Sequence, residues 1–238
     1  MLPLFPDATI HFQEVMLVIA LASILYGSVM AFTQTNVRLI AGYSSIAQLG
    51  FITAGIFALR PDGANGALLQ MVNHGLVVAP IFIIIAFLAE RAGTEDLREL
   101  GGEALRAPIL AALFLIVALG TLAMPGSANF IGEFFILNGL FQAKIAFAFV
   151  AGSGIVMSAY YALRLYQRTM HGRKPEGVES RDLGPRDMAV LAPLVACIVA
   201  LAFYPQLILH RTDRSATAVA SLVDAAKSDL APQTLARR

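Results

Sequence analysis

Charged side chains fall in clusters along this chain and leave uncharged, mainly apolar spans at 15–37, 39–59, 63–89, 107–132, 134–143, 145–163 and 188–210. All but 134–143 reach the roughly 20 residues that a helix needs to cross hydrocarbon. The short span is separated from 107–132 by one acid, Glu133, and is preceded by Met124-Pro125-Gly126-Ser127-Ala128-Asn129. Pro125 removes a backbone donor and Gly126 weakens the turn, so a helix over about 106–124 stops there and a second starts near Asn129. The pair reads as one broken crossing, with a hairpin between two spans as the alternative. Backbone that leaves the helix at membrane depth is tolerated where protein or a water-filled cavity satisfies it, and transporters build ion sites from such breaks.

Six crossings result, at about 10–33, 36–59, 64–89, 106–141, 145–166 and 188–208, and the fold class is all-α integral membrane with one discontinuous helix around Pro125–Asn129. Residues 1–210 form the transmembrane bundle and 211–238 a polar tail. In the tail Ala216, Val219, Ala220 and Val223 recur at helical spacing, which predicts a short surface helix. With six crossings both termini share a face. The other face carries Arg38, Arg91, Arg98, Arg106, Arg164, Arg168, Arg173, Lys174, Arg181 and Arg186. Near the spans of the terminal face are Arg60, Lys144, Arg211 and Arg214, with Lys227, Arg237 and Arg238 further out. The positive-inside rule then places both termini outside the cytoplasm. A hairpin would divide the basic residues evenly, which favours the broken crossing.

Composition agrees with a membrane protein: of 238 residues, 58% are hydrophobic and 14% charged, against roughly 25% charged in soluble domains. The net charge of +1 supplies no basic field for nucleic acid. A single cysteine, Cys197, excludes a disulfide framework and a thiolate metal cluster within the chain, and reads as a small buried hydrophobe. No Gly-rich phosphate cradle interrupts the mixed-charge loops at 90–106 and 167–187.

Ionisable groups inside spans are costly and therefore point to function. Glu133 stands in the second half of the broken crossing, one turn beyond Asn129, whose side chain is expected to cap that half-helix. Loss of water and the positive helix end act on it in opposite senses and leave a carboxyl able to change protonation near neutral pH, as a proton carrier must. His74, with Gln70 on the same helix face and Asn73 beside it, makes a polar patch inside 63–89. A neutral imidazole donates at one nitrogen and accepts at the other, so it suits a relay. Tyr43, Ser44, Ser45 and Gln48 add groups that bond water without storing a proton, and Arg38 stands at the start of that crossing. Gly42, Gly50 and Gly55 are read as points of close helix approach. Gln48, His74 and Glu133 lie near the centres of three crossings, so they are expected to share one interior plane, bridged by water where direct contact is too long.

The segments Asn36-Val37-Arg38-Leu39-Ile40-Ala41-Gly42-Tyr43-Ser44-Ser45-Ile46-Ala47-Gln48-Leu49-Gly50-Phe51, Gln70-Met71-Val72-Asn73-His74-Gly75-Leu76 and Met124-Pro125-Gly126-Ser127-Ala128-Asn129-Phe130-Ile131-Gly132-Glu133-Phe134 resemble the antiporter-like, proton-translocating membrane subunits of respiratory complex I, the NADH-quinone oxidoreductase. The resemblance runs over essentially the whole chain but covers only the C-terminal half of the family, its ninth to fourteenth crossings. It implies that Glu133 is the ionisable residue of the discontinuous twelfth helix and that His74 belongs to a central hydrophilic axis. Arg38, Tyr43, Ser45, Gln48, Gln70, Asn73 and Asn129 would support that path. Glutamate at 133 resembles the branch of the family that lacks the usual lysine there. Arg38 replaces a lysine, Leu39 an arginine and Gln48 a frequent histidine.

The resemblance also implies no cofactor in this chain, with NADH, FMN, iron–sulfur clusters and quinone in partner subunits. The expected partners are sister antiporter-like chains and the lipid of the cell inner membrane. The family's preceding repeat, with a glutamate and two lysines, would lie before Met1, so the sequence is expected to be a fragment, a split gene product or a misassigned start. A subunit of a related membrane-bound hydrogenase or cation/proton antiporter, and a structural bundle without an ion path, are the other readings.

Overall fold

A computed structural model describes residues 3–172 and 181–235, with side chains as far as 228. Nine α-helices follow one another among the described residues: α1 (Pro6–His11), α2 (Gln13–Thr33), α3 (Val37–Phe57), α4 (Pro61–Ala92), α5 (Pro108–Thr121), α6 (Ala128–Ala143), α7 (Ile145–Met170), α8 (Pro185–Phe203) and α9 (Gln206–Leu235). Of these α2, α3, α4, α7 and α8 are each long and apolar enough to cross a membrane. The first expected crossing divides at Phe12 into α1 and α2.

Short links between consecutive helices fix the up-and-down order. One face of the bundle carries 34–36, 93–107 and 171–172 with 181–184; we call it the loop face. The opposite, terminal face carries 58–60, Lys144 and 204–205. On the loop face, Val37 N–H donates to the Glu95 carbonyl at 3.0 Å and Leu97 N–H to that of Thr35 at 2.7 Å. Asp182 crosses from the segment before α8 to accept from the Ile109 and Leu110 N–H groups at 3.0 and 3.2 Å, which caps α5. Glu103 is buried there, and burial pushes its carboxyl up from the usual range against the pull of Arg91 and Arg106. Arg173, Lys174, Arg237 and Arg238 lie outside the described residues.

At 14 and 16 residues, α5 and α6 span about 21 and 24 Å, each short of the ~30 Å hydrocarbon core. Their neighbours show that they share one crossing. α5 begins on the loop face and reaches mid-depth at Gly120, which faces Val77 in the middle of α4. α6 starts beside Asn73, whose Nδ2 donates to the Ala128 carbonyl at 2.7 Å. It ends on the terminal face, where Asn138 Nδ2 and Gln142 Nε2 each donate to Asp62 Oδ2 at 2.7 Å. The chain therefore crosses once with a break at 122–127, and the hairpin alternative falls.

The break differs in detail from expectation. α5 stops at Thr121, before Met124, because Ala123 takes a left-handed conformation with φ of 50°, as does Gly126 with φ of 97°. α6 is capped by Ser127, whose Oγ accepts from Phe130 N–H at 3.3 Å, and Asn129 is already inside the helix.

Two apolar cores lie at different depths. One, towards the loop face, gathers residues such as Val37, Ile84, Phe114 and Leu191; the other, towards the terminal face, gathers Leu17, Ile24, Phe51, Ile136 and Ala151. In the second, helices meet at backbone distance. A methyl group at Gly66 would come within 2.6 Å of the Ile136 nitrogen, and one at Gly139 within 2.6 Å of Gly63 Cα. Gly50 and Gly55 are close-approach points as expected, but Gly42 is not one among the described residues, none of which comes within 4 Å of such a methyl.

α9 is longer than the short helix expected and starts at Gln206, before residue 211. It packs on α1 and on the start of α4. Asn65 Nδ2 donates to Asp213 Oδ1 at 3.0 Å and Thr212 Oγ1 to Asn65 Oδ1 at 3.1 Å, while Ala216, Ala220 and Val223 are buried. Cys197 is exposed, contrary to its reading as a buried hydrophobe, because it stands on the face of α8 turned out of the bundle.

Candidate functional site

A layer of buried polar side chains separates the two cores. Gln70 Nε2 on α4 donates to Gln48 Oε1 on α3 at 2.9 Å, and Gln48 Nε2 donates to Glu133 Oε1 on α6 at 2.8 Å. All three are at most 2% exposed. Gly132 makes room for this contact, since a methyl there would overlap the Gln70 side chain. The carboxyl faces protein interior one and a half turns inside α6, and Gln48 and Glu133 are close enough to meet directly, so no water is needed between them.

The same layer holds polar atoms without partners among the described residues: Glu133 Oε2, Gln70 Oε1, Asn73 Oδ1 and both side-chain atoms of Asn129. An unmet polar atom in an apolar interior costs about 1–3 kcal/mol, so such a cluster calls for water. Beside it is a cavity of about 10 Å³ lined by Ser44, Gln48, His74, Val77, Val78, Ile81, Thr121 and Asn129, large enough for about one water. His74 is part-buried and forms no side-chain hydrogen bond with the described residues, so it meets the chain only across this cavity.

Residues 1–158 match the family described as NADH:quinone oxidoreductase/Mrp antiporter, transmembrane. The chain belongs to this family. It is 41% identical over 209 residues to a protein named NADH-quinone oxidoreductase subunit M of Mycobacterium tuberculosis, an alignment covering 87% of this chain and 38% of that protein. Among solved structures, a chain of respiratory complex I from Thermus thermophilus superposes with a TM-score of 0.86 at 30% identity, over 92% of this chain and 46% of that one. A chain of the Mrp complex from Dietzia shares the fold at a TM-score of 0.76 and 22% identity, over 90% and 48% of the two chains. The chain thus spans less than half the length of these relatives.

Of the family residues expected along the path, Gln48, Gln70, Asn73, Asn129 and Glu133 come together, and His74 borders them. Three others are placed apart. Arg38 is 53% exposed and pairs with Glu95 at 2.5 Å on the loop face, where snorkelling would put it. Tyr43 is part-buried with its ring edge-to-face against Tyr26, the centroids 6.0 Å apart. Ser45 Oγ donates to the carbonyl of Ala41 at 3.1 Å and is spent on its own helix.

Sequence reading missed Ser127 as the cap and missed Thr121 and Tyr161 near the site. Ser127 carried a signal, a hydroxyl directly before the helix start. Thr121 and Tyr161 carried none, because uncharged residues in apolar spans are common.

Proposed function

We propose that this chain is a proton-translocating part of the membrane arm of an NADH-quinone oxidoreductase, with Glu133 carrying the proton and His74 relaying it. The observation that carries the reading is the buried chain Gln70–Gln48–Glu133 beside the break in a crossing. One carboxylate oxygen is held by an amide and the other has no partner among the described residues. An amide can donate to Glu133 in either protonation state, so Gln48 fixes the carboxyl without fixing its charge. The free Oε2 is then where a proton arrives and leaves, through water in the adjoining cavity that His74 lines. On this reading the loop face, which holds most of the basic residues, is cytoplasmic and both ends of the chain are on the other side of the inner membrane. Oxidation of NADH, with FMN, iron–sulfur clusters and quinone, belongs to partner subunits, and sister antiporter-like chains flank this one.

Glu133→Gln in the complete assembled complex tests it. Proton pumping should fall at least tenfold, roughly the scale of losing one positioned proton carrier, while electron transfer to an artificial acceptor at the peripheral arm persists. Unchanged pumping would refute the carrier role. For the relay, His74→Gln keeps a donor and an acceptor but cannot take a proton, and His74→Ala removes both. We expect both to slow pumping. Loss in the alanine variant alone would leave His74 a hydrogen-bonding group only, and parent-like pumping in both would remove it from the path.

A further inference from the structure

We propose that the Tyr161 hydroxyl is part of the route to Glu133, joining it to the loop-face half of the bundle through a junction at Ser44 and Thr121. This rests on the function proposed above and adds a direction and a residue to it. Tyr161 on α7 is 2% exposed, and its hydroxyl is buried without a partner among the described residues. It lines a second cavity of about 10 Å³ whose other polar wall residues are Ser44 and Thr121. Ser44, Ile81 and Thr121 also line the cavity that holds Gln48, His74 and Asn129, so the two spaces share a wall.

Hydrogen-bond bookkeeping distinguishes Tyr161 from the other two hydroxyls. Ser44 Oγ donates to the Ala41 carbonyl at 2.7 Å and Thr121 Oγ1 to that of Val117 at 2.9 Å. Both protons are committed, which leaves each oxygen only lone pairs to offer a water. Tyr161 keeps an uncommitted O–H that both donates and accepts. Two acceptors and one free donor around spaces of about one water each are what a short water chain needs at its turning point. Phenylalanine would fill the same volume without burying an unmet hydroxyl, which costs about 1–3 kcal/mol when nothing bonds it.

The geometry also gives the direction. From Gln48 the cavities proceed along α3 towards Ser44 and Ile40 and along α7 towards Leu165, both towards the loop face. In the other direction from Glu133, α6 meets α4 backbone to backbone at Gly66 and Gly63. In this conformation the space beside the carboxyl therefore lies on its loop-face side.

The test is Tyr161→Phe in the complete assembled complex, read by difference infrared spectroscopy of the Glu133 carboxyl, its band assigned by loss in Glu133→Gln. After transfer to deuterated water, exchange at that carboxyl should slow about three- to tenfold, the rate equivalent of losing one hydrogen bond. Pumping should fall with it, while peripheral redox activity and melting temperature are retained. Packing alone would leave the exchange rate unmoved, so exchange at the parent rate overturns the inference even if Glu133→Gln abolishes pumping. Pumping that survives Glu133→Gln would instead overturn the parent reading. Thr121→Val, which removes the junction hydroxyl at nearly constant volume, should slow exchange in the same way and carries the decision if Tyr161→Phe fails to assemble.

Discussion

The two halves of the bundle solve different problems with the same helices. Towards the terminal face, α3, α4 and α6 meet through Gly55, Gly63, Gly66 and Gly139 with backbones in contact. Towards the loop face, bulkier side chains such as Phe114 and Tyr161 hold the helices apart, and small cavities edged by hydroxyls remain between them. Lipid offers no hydrophobic force for helix association, so close van der Waals packing of small residues supplies it in the first half. The second half gives up some packing and gains room for water. Glu133 stands at the seam.

The contrast is open to attack from each side. The largest effect should come from Gly66→Val, which drives a branched side chain into the Ile136 backbone and should destabilise the chain by ~3 kcal/mol or more. Loss of assembled protein and a lowered melting temperature would show it, and normal assembly would mean that the terminal half is not closed at this contact. Next is Gln48→Leu, which deletes the link between the halves. It removes the donor to Glu133 and the acceptor for Gln70, so stability should fall by ~2 kcal/mol and pumping should drop with it. Gln48→His, which can still donate and accept, should retain most pumping; equal loss in both would show that the amide geometry is what matters. The smallest effect should come from Gly42→Ala, the same added methyl that cannot fit at Gly66. With nothing within 4 Å of it, alanine should leave pumping unchanged and raise stability by up to ~1 kcal/mol. A loss there would show that this surface of α3 is covered in the assembled protein.

Much of this was legible because a membrane makes sequence explicit. Charge-free length gave the crossings, and Pro125 with Gly126 gave the break, since few sequences afford such a pair at mid-depth. Glu133 stood out because a carboxyl inside an apolar span is costly wherever it points. What stayed hidden was partnership. Gln48 was placed in the right plane, but direct contact with Glu133 depends on how closely α3 and α6 approach, which Gly55, packed against Ile136, helps to decide in three dimensions. The α5 cap was invisible for a similar reason: Asp182 is more than 70 residues away from the N–H groups it meets. Arg38 was read as a path residue, and Glu95, far along the chain, draws it to the loop face.

The grip of Asp62 on Asn138 and Gln142 has a mechanical consequence. With that end pinned, its middle seated on α4 at Gly66 and its other end at the 122–127 break, its joint to α5, α6 can yield only by pivoting about the clamped half, so displacement grows with distance from the clamp. Glu133 is five residues from Asn138, about 7.5 Å along the axis, and Ser127 is more than twice as far, about 16 Å. A disturbance arriving at the joint therefore swings the tip widely and the carboxyl little. Asn73 and the Ala128 carbonyl, which touch at the tip, would register it first, while the amide contact that holds Glu133 would bend without letting go.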